Sequence, residues 1–99
     1  MTRAKNADFP ELRRFFGGYM HEDFVQEYGS PTGALAAFEA DASPAERRRL
    51  HAEAAQLLTL VESQEFSTSR ALLSELGCRW APKSSAALRG WLAAAATKH

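Results

Sequence analysis

The sequence predicts an all-α fold, a single compact bundle of five to six short helices. Apolar residues recur at helical spacing in several short segments, and little of the chain alternates with the period of two typical of strands. Cap residues and glycines separate these segments. The 99 residues suffice for one small domain, and the hydrophobic fraction of 45% is ordinary for a globular chain. We therefore expect residues 1–8 to form a flexible tail and residues 9–97 to fold as a single helical domain.

The first helix is predicted to be short because a glycine pair follows its apolar residues. Asp8 and Glu11 fit a capping box, and Pro10 is tolerated in the first turn. Gly17 and Gly18 are expected to end or break this helix, since glycine has a low helix propensity and favours helix ends.

A second short helix is predicted around MHEDFVQEY, residues 20–28. Phe24 and Tyr28 stand at i and i+4, and Met20 lies one turn earlier, so the three residues share an apolar edge. Gly29 follows this segment and is expected to end the helix.

The third and fourth helices are predicted from two Ser-Pro cap signals. Ser30 is an N-cap followed by Pro31 at the first helical position. Ser43, followed by proline and then by Glu46, forms a capping box. We expect the helix that it opens to run to about residue 61, because one apolar stripe follows it: Leu50, Ala54, Leu57, Leu58 and Val61.

The fifth and sixth helices are predicted from the remaining cap residues. Ser67 or Thr68 is expected to start the segment SRALLSEL, and Gly77 stands where a glycine would close that helix. Ser84 and Ser85 follow a proline and precede AALRGWLAAAATK, which we predict to be the last helix.

Charge is distributed unevenly along the chain, although the formal net charge is zero. Between Phe15 and Glu46 the sequence has no Lys or Arg, and its six acids give this block a charge of −6: Glu22, Asp23, Glu27, Glu39, Asp41 and Glu46. Such a block repels phosphate backbones and attracts basic partners.

The histidines do not suggest a metal site. His21 precedes Glu22 and Asp23, but adjacent helical residues point in different directions and cannot converge on one ion. His51 and His99 have no His, Cys or Asp three or four residues away. We therefore expect solvated histidines, no metal and no cofactor.

The carboxylates and the cysteine do not form a convincing catalytic set. Asp23 and Glu27 are one turn apart, but like charges on an exposed turn are typical of a solvated surface. Acid–base catalysis also needs a pocket, which helices this short rarely enclose. Cys78 follows a helix-closing glycine, where the helix dipole disfavours a thiolate, so a buried, inert thiol is favoured.

The sequence indicates a cytoplasmic protein. No apolar run approaches the roughly 18 to 20 residues needed to cross a bilayer. The basic N-terminal residues are not followed by the apolar segment of a secretory signal. The single cysteine cannot form an internal disulfide, which is typical of a reducing compartment.

Two interpretations of the remaining features stay open. Arg13, Arg14 and Arg47–Arg49 could contact phosphate in a small nucleic-acid-binding protein, although a solvated first turn is favoured for the arginine triplet. The ten aromatic residues are many for this length, and Tyr and Trp are enriched at interface centres. Aromatic residues beside an acidic surface favour a protein-binding module, such as a non-enzymatic helical adaptor.

Residues 9–38, FPELRRFFGGYMHEDFVQEYGSPTGALAAF, closely resemble the opening of the immunity proteins of bacterial contact-dependent growth inhibition systems. Downstream, LLSELGCRWAP and LRGWL are similar to the Leu-Gly-Cys-aromatic segment and the terminal Trp-Leu helix of that family. Phe24 stands where the family most often has Trp, and the segment before Trp91 is richer in Ala and Ser. The positions that carry the resemblance, which we interpret as the framework of the family, are Phe9, Pro10, Leu12, Tyr19, His21, Asp23, Phe24, Tyr28, Gly29, Ser30, Ala34, Leu35, Phe38, Gly77, Cys78, Trp80 and Trp91.

The resemblance implies a cytoplasmic protein without enzymatic activity, cofactor, membrane segment or direct contact with nucleic acid. Its expected partner is the toxin domain cut from the C-terminus of a contact-dependent inhibition exoprotein. Such toxins are frequently nucleases with basic substrate grooves, which an acidic surface could occlude. As toxin-binding residues we select Glu22, Glu27, Glu39 and Asp41, with Asp23 as a structural acceptor at a helix start.

Overall fold

Six α-helices and no strand make up residues 9–97, the part of the chain that the computed structural model describes. This architecture confirms the predicted all-α class. The predicted tail of residues 1–8 lies outside the described residues. The helices are α1 (Pro10–Tyr19), α2 (Phe24–Tyr28), α3 (Pro31–Asp41), α4 (Pro44–Glu62), α5 (Phe66–Glu75) and α6 (Ser85–Ala96).

Helix α1 is capped by a side chain from another helix. Its N-cap residue, Phe9, has no capping side chain, and Asp8 of the predicted capping box lies outside the described residues. The two carboxylate oxygens of Glu53 in α4 instead accept from the backbone N–H groups of Glu11, at 3.1 Å, and Leu12, at 2.8 Å. Glu53 thereby satisfies two of the N–H groups that a helix start leaves unpaired, and it joins α1 to α4.

The prediction that the glycine pair ends or breaks α1 is wrong. The helix continues through Gly17 and Gly18 to Tyr19. Each glycine costs roughly 0.5–1 kcal/mol relative to alanine inside a helix. Phe15 and Phe16 are completely buried just before the pair, and their packing offsets that cost.

Helix α2 is shorter than predicted, since it covers only Phe24–Tyr28. Met20 is fully buried but belongs to the turn before the helix, and its carbonyl accepts a hydrogen bond from the backbone of Arg79 at 3.0 Å. Asp23 occupies the N-cap position, but its side chain makes no capping bond. Gly29 ends the helix with a positive φ of 82°.

The predicted caps of α3, α4 and α6 are present, whereas α5 has Glu65 as its N-cap residue, without a side-chain capping bond, in place of the predicted Ser67 or Thr68. The Ser30 and Ser84 hydroxyls accept from backbone N–H groups three residues on, at 3.0 and 3.1 Å. Ser43 and Glu46 form the complete capping box of α4. Helix α5 starts at Phe66, slightly earlier than predicted, and Gly77 closes it with a φ of 95°. The N–H groups of Gly77 and Cys78 then bond back to the Ser74 and Leu73 carbonyls, as in a Schellman motif.

Aromatic side chains from α1, α3 and α6 meet at the centre of the core. The ring of Phe15 lies 5.4 Å from Phe38 and 5.9 Å from Trp91. The indole N–H of Trp91 donates to the Pro31 carbonyl at 3.1 Å, which ties α6 to the start of α3. Helix α4 packs along α6 and buries most of its predicted apolar stripe, with Leu58 only partly covered.

Candidate protein-binding surface

Tyr19 and Tyr28 connect the C-terminal end of α3 with α2. The Tyr19 hydroxyl donates to a carboxylate oxygen of Asp41 at 3.0 Å. The rings of Tyr19 and Tyr28 stack with centroids 5.7 Å apart, and Glu27 is the chain neighbour of Tyr28. The contact with Tyr19 therefore places Asp41 near α2, the helix that carries Glu27, although 14 positions separate the two acids in sequence (41 − 27).

The turn before α2 contributes a histidine and a further exposed acid. The imidazole Nε2 of His21 lies 2.9 Å from a carboxylate oxygen of Glu27, and its Nδ1 accepts from the Asp23 backbone at 3.1 Å. Glu22 is exposed in the same turn. We call this set the acidic surface; it consists of Tyr19, His21, Glu22, Glu27, Tyr28 and Asp41.

Tyr19 acts as a fixed donor within the acidic surface. Partial burial raises the pKa of Tyr19, and the hydrogen bond to Asp41 raises it further, as does the negative charge of that carboxylate. The hydroxyl therefore stays protonated across the physiological pH range. It holds Asp41 at the edge of the surface with a charge-assisted bond.

A groove of about 160 Å³ borders the acidic surface between α1 and the start of α4. Tyr19 and Asp41 line it together with Glu46. The Ser43 backbone N–H, which donates to Glu46, lowers the pKa of the Glu46 carboxyl. Arg14 supplies the basic group in the lining, and it is already paired with Glu11 at 3.1 Å. Negative charge thus predominates at this edge.

Glu39, selected from the sequence with the other three acids, faces a different neighbour. Its carboxylate lies 2.8 Å from His51 Nε2, and its side chain is only 20% exposed. His51 itself is 7% exposed, in contrast to the solvated histidine expected from the sequence. The structure thus places Glu22 and Glu27 in α2 and the turn before it, and Asp41 at the end of α3 in contact with Tyr19, while Glu39 joins α3 to α4.

Val25 adds an apolar group to the exposed face of α2. It is 57% exposed, and within residues 9–97 no other large hydrophobic side chain is comparably open to solvent. Its neighbours along the short helix are the buried Phe24 and the exposed Gln26. An exposed aliphatic side chain beside carboxylates is suited to a contact with another protein.

The residues interpreted as family framework lie mostly inside the fold. Tyr19, Tyr28 and Trp80 are partly covered against the core, while Pro10, Asp23 and Gly29 are exposed. The buried members are Phe9, Leu12, Phe24, Ala34, Leu35, Phe38, Cys78 and Trp91.

The arginines that suggested nucleic-acid binding are largely engaged within the protein. Arg47 donates to the carbonyls of Glu39, at 3.1 Å, and Ala42, at 2.7 Å. Arg49 pairs with the buried carboxylate of Glu11 at 3.1 Å, as Arg14 does. The remaining two, Arg13 and Arg48, are exposed, and Arg13 donates to a carbonyl at the end of α5. These contacts do not leave a free basic stripe along α4.

Long-range contacts of Glu11, Glu53 and His51 stabilise the fold and were not predicted from the sequence. Their partners lie 38, 41 and 12 positions away, so the local sequence gives no sign of them. The exposed Val25 could have been noticed as an aliphatic residue on the polar side of its helix.

Residues 9–97 provide neither a cluster of metal ligands nor a reactive thiol. Within residues 9–97 no group of three or more His, Cys, Asp or Glu side chains is placed to hold a metal ion. Burial raises the pKa of the Cys78 thiol to about 12, and a backbone hydrogen bond at Trp80 opposes this in part. The thiol is therefore a poor nucleophile at neutral pH.

Among residues 9–97, no helix combines the length and the apolar character needed to span a membrane.

Comparison with known protein families supplies a match over nearly the whole chain. A family model described as CdiI immunity protein matches residues 8–99. Neither the functionally characterised proteins nor the solved structures contain a match. The matched span includes all six helices, so it concerns the fold as a whole.

Proposed function

Since the chain belongs to the CdiI immunity protein family, we propose that it binds and neutralises its cognate toxin. The proposed partner is the C-terminal toxin domain of a contact-dependent growth inhibition exoprotein, here a nuclease. Binding occurs in the cytoplasm, where a delivered nuclease meets its substrate. The chain acts as a non-enzymatic inhibitor that covers the active site or the substrate groove of the toxin.

The observation that supports this proposal is the group of exposed acids on α2, on the turn before it and at the end of α3. Glu22, Glu27 and Asp41 come from two helices and a turn. His21 lies within hydrogen-bond distance of Glu27, and Tyr19, which stacks on Tyr28, donates to Asp41. Nuclease substrate grooves are basic because they bind phosphate, so a surface of this charge is complementary to them. We include Glu39 among the toxin-binding residues in a lesser role, since His51 already occupies its carboxylate.

Val25 gives the proposed interface an apolar centre. Interfaces typically combine a desolvated apolar core with a polar rim. Val25 is 57% exposed on α2, the helix that also carries Glu27, whose carboxylate would form part of such a rim. On this proposal, the carboxylates direct the encounter and Val25 contributes to the lifetime of the complex.

The test begins with the polypeptide encoded immediately upstream of this chain. We expect it to copurify with the chain, and co-expression of the chain to rescue growth of cells that produce its C-terminal domain. Reversing charge at two exposed acids, with Glu22→Lys and Glu27→Lys, and removing a third with Asp41→Asn should abolish rescue. Glu39 is left unchanged because its reversal would also break the His51 pair.

A control variant makes the same two-residue charge reversal away from the acidic surface, without the further neutralisation at Asp41. Glu62→Lys with Glu65→Lys alters two exposed acids near the junction of α4 and α5. This variant should rescue growth as the wild-type protein does. Full rescue by the triple variant would contradict occlusion by the acidic surface. Absence of binding by the wild-type chain would contradict the proposed partner.

A further inference from the structure

A second groove lies on α5, apart from the acidic surface, and it has the opposite charge. Its volume is about 420 Å³, and none of its lining residues belongs to the acidic surface. Arg70 and Arg79 line it, with the hydroxyls of Ser67 and Ser74 and the half-buried ring of Trp80. No acidic residue is among the lining residues. We call this feature the arginine groove.

Both arginines are available to a ligand. They are exposed, and neither forms an ion pair within residues 9–97, in contrast to Arg14 and Arg49. The guanidinium carbon of Arg70 lies 5.7 Å from the centre of the Phe66 ring, which holds the side chain over α5. A guanidinium presents several N–H donors in a planar fork that matches a carboxylate.

The wall opposite α5 is held in place by the backbone. The Arg79 N–H donates to the Met20 carbonyl, and the Cys78 thiol donates to the Trp80 carbonyl. Gly77 turns the chain into this wall through its positive φ, and Pro82 is buried beneath it. Because the groove is formed before any ligand arrives, binding would require little ordering of the protein.

The charges around the arginine groove favour a short anionic ligand over a polyanion. Glu65 and Glu75 are exposed at the two ends of α5, beside Ser67 and Ser74. A phosphate backbone that ran beyond the groove would meet these carboxylates. A short polypeptide segment would not reach these carboxylates. One or two carboxylates of such a segment would pair with the arginines, and an apolar side chain would pack on Trp80.

We propose that the arginine groove binds an acidic segment of the toxin polypeptide, as a second contact apart from the acidic surface. This inference rests on the proposed function. The chain then presents negative charge to the basic substrate groove of the toxin and positive charge to an acidic segment elsewhere on it. Two contacts of opposite charge fix the orientation of the complex. A protein that lacks either the basic groove or the acidic segment is disfavoured as a partner.

The test compares two double variants of the full chain for binding to the catalytically inactive toxin domain by calorimetry. Arg70→Gln with Arg79→Gln should raise Kd by roughly tenfold to a hundredfold, since two charge-assisted contacts are removed. Arg48→Gln with Arg89→Gln removes two exposed arginines elsewhere and should change Kd less than about twofold. All four side chains are exposed, so circular dichroism should show that both variants fold.

Three results would overturn the inference, and they are distinguishable. If the groove variant binds the toxin domain as tightly as the wild type does, the inference fails while the proposed function stands. If the wild-type chain does not bind the toxin domain, the proposed function fails and takes the inference with it. If the wild type binds a fluorescein-labelled single-stranded RNA and the groove variant loses only that binding, the groove serves nucleic acid instead.

Discussion

At the scale of single residues, two carboxylates stabilise the start of α1: Glu53 replaces the missing local cap, and the buried Glu11 pairs with two arginines. Glu11 is 3% exposed, and two arginines compensate its charge, one from the next turn and one from α4. Glu53 accepts from the first free N–H groups of α1. Both carboxylates also interact favourably with the positive end of the helix dipole.

Replacing Glu53 with alanine should destabilise the protein, because the N–H of the fully buried Leu12 would lose its acceptor. Losing a helix cap or leaving a buried donor unpaired costs about 1–3 kcal/mol in the free energy of unfolding. Urea denaturation measures the loss. Glu62→Ala, an exposed acid on the same helix, should change stability by no more than about 0.5 kcal/mol. Equal effects of the two substitutions would show that Glu53 does not cap α1.

These residue-scale contacts mark a limit of what the sequence reveals. The caps at Ser30, Ser43 and Ser84 could be predicted because a cap and its N–H donor lie within three residues of each other. The pairing of Glu39 with His51 could not, since it depends on the packing of α3 against α4. Because of this pairing, Glu39 contacts α4, whereas the other predicted toxin-binding carboxylates, Glu22, Glu27 and Asp41, are exposed.

At the scale of the helices, the capping box of α4 makes part of the stability depend on pH. The hydrogen bond from the Ser43 backbone holds the pKa of Glu46 below its ordinary value of 4.5. A carboxyl whose pKa is lowered on folding stabilises the folded state above its unfolded pKa, and this contribution is lost as pH falls through the folded pKa. The cap therefore contributes fully at neutral pH and fades in acid.

Glu46→Gln should lower Tm at about pH 7, and the difference from wild type should shrink toward about pH 2.5, where the glutamate is also neutral. Thermal unfolding followed by circular dichroism across this range tests the expectation. Glu62→Gln serves as the control, since the exposed Glu62 side chain makes no hydrogen bond or ion pair within residues 9–97. A gap between wild type and Glu46→Gln that stays constant down to the lowest pH would contradict this role of Glu46.

The glycines of α1 predict a gain in stability, since the fold does not require them. Nothing lies within 4 Å of a Cβ placed at Gly17 or Gly18. Each alanine substitution should therefore stabilise the protein by about 0.5–1 kcal/mol, through the higher helix propensity of alanine. Chemical denaturation measures the change.

Gly33→Ala is the contrasting variant. A Cβ at Gly33 would collide with the backbone carbonyl oxygen of Tyr28, so this substitution should destabilise the junction between α2 and α3. Loss of stability in the Gly17 and Gly18 variants would mean that the exposed glycines are needed in α1 after all. The sequence could not show this difference, because the same residue type has room in one helix and none in the other.

At the scale of the whole molecule, the fold places acidic and basic residues in different regions, although the formal net charge of the sequence is zero. The acids between residues 15 and 46 supply the acidic surface on α2 and the end of α3, while the arginine groove lies on α5. The aromatic core and the packing of α4 along α6 hold these regions in fixed positions. A neutral protein can therefore exert a directed field on a basic partner.

This field should govern the rate at which the chain meets its proposed toxin. Exposed charges at an interface act mainly on the association rate constant, and salt screens them. We expect the association rate constant of the wild-type chain to fall steeply with salt in stopped-flow measurements. The triple variant Glu22→Lys, Glu27→Lys and Asp41→Asn should associate at least about tenfold more slowly at low salt, with much of the salt dependence lost.

Val25→Ser should change the dissociation rate instead of the association rate, because the exposed side chain of Val25 carries no charge. It should leave the association rate nearly unchanged and raise the dissociation rate by roughly tenfold, as expected for an apolar group at the centre of an interface. Ala36→Ser, an exposed apolar-to-polar change on α3, is the control and should alter neither rate. If Val25→Ser also leaves dissociation unchanged while the triple variant slows association, α2 steers the toxin without being buried by it. The interface would then centre on Tyr19 and Asp41, where the hydroxyl and carboxylate already form one unit.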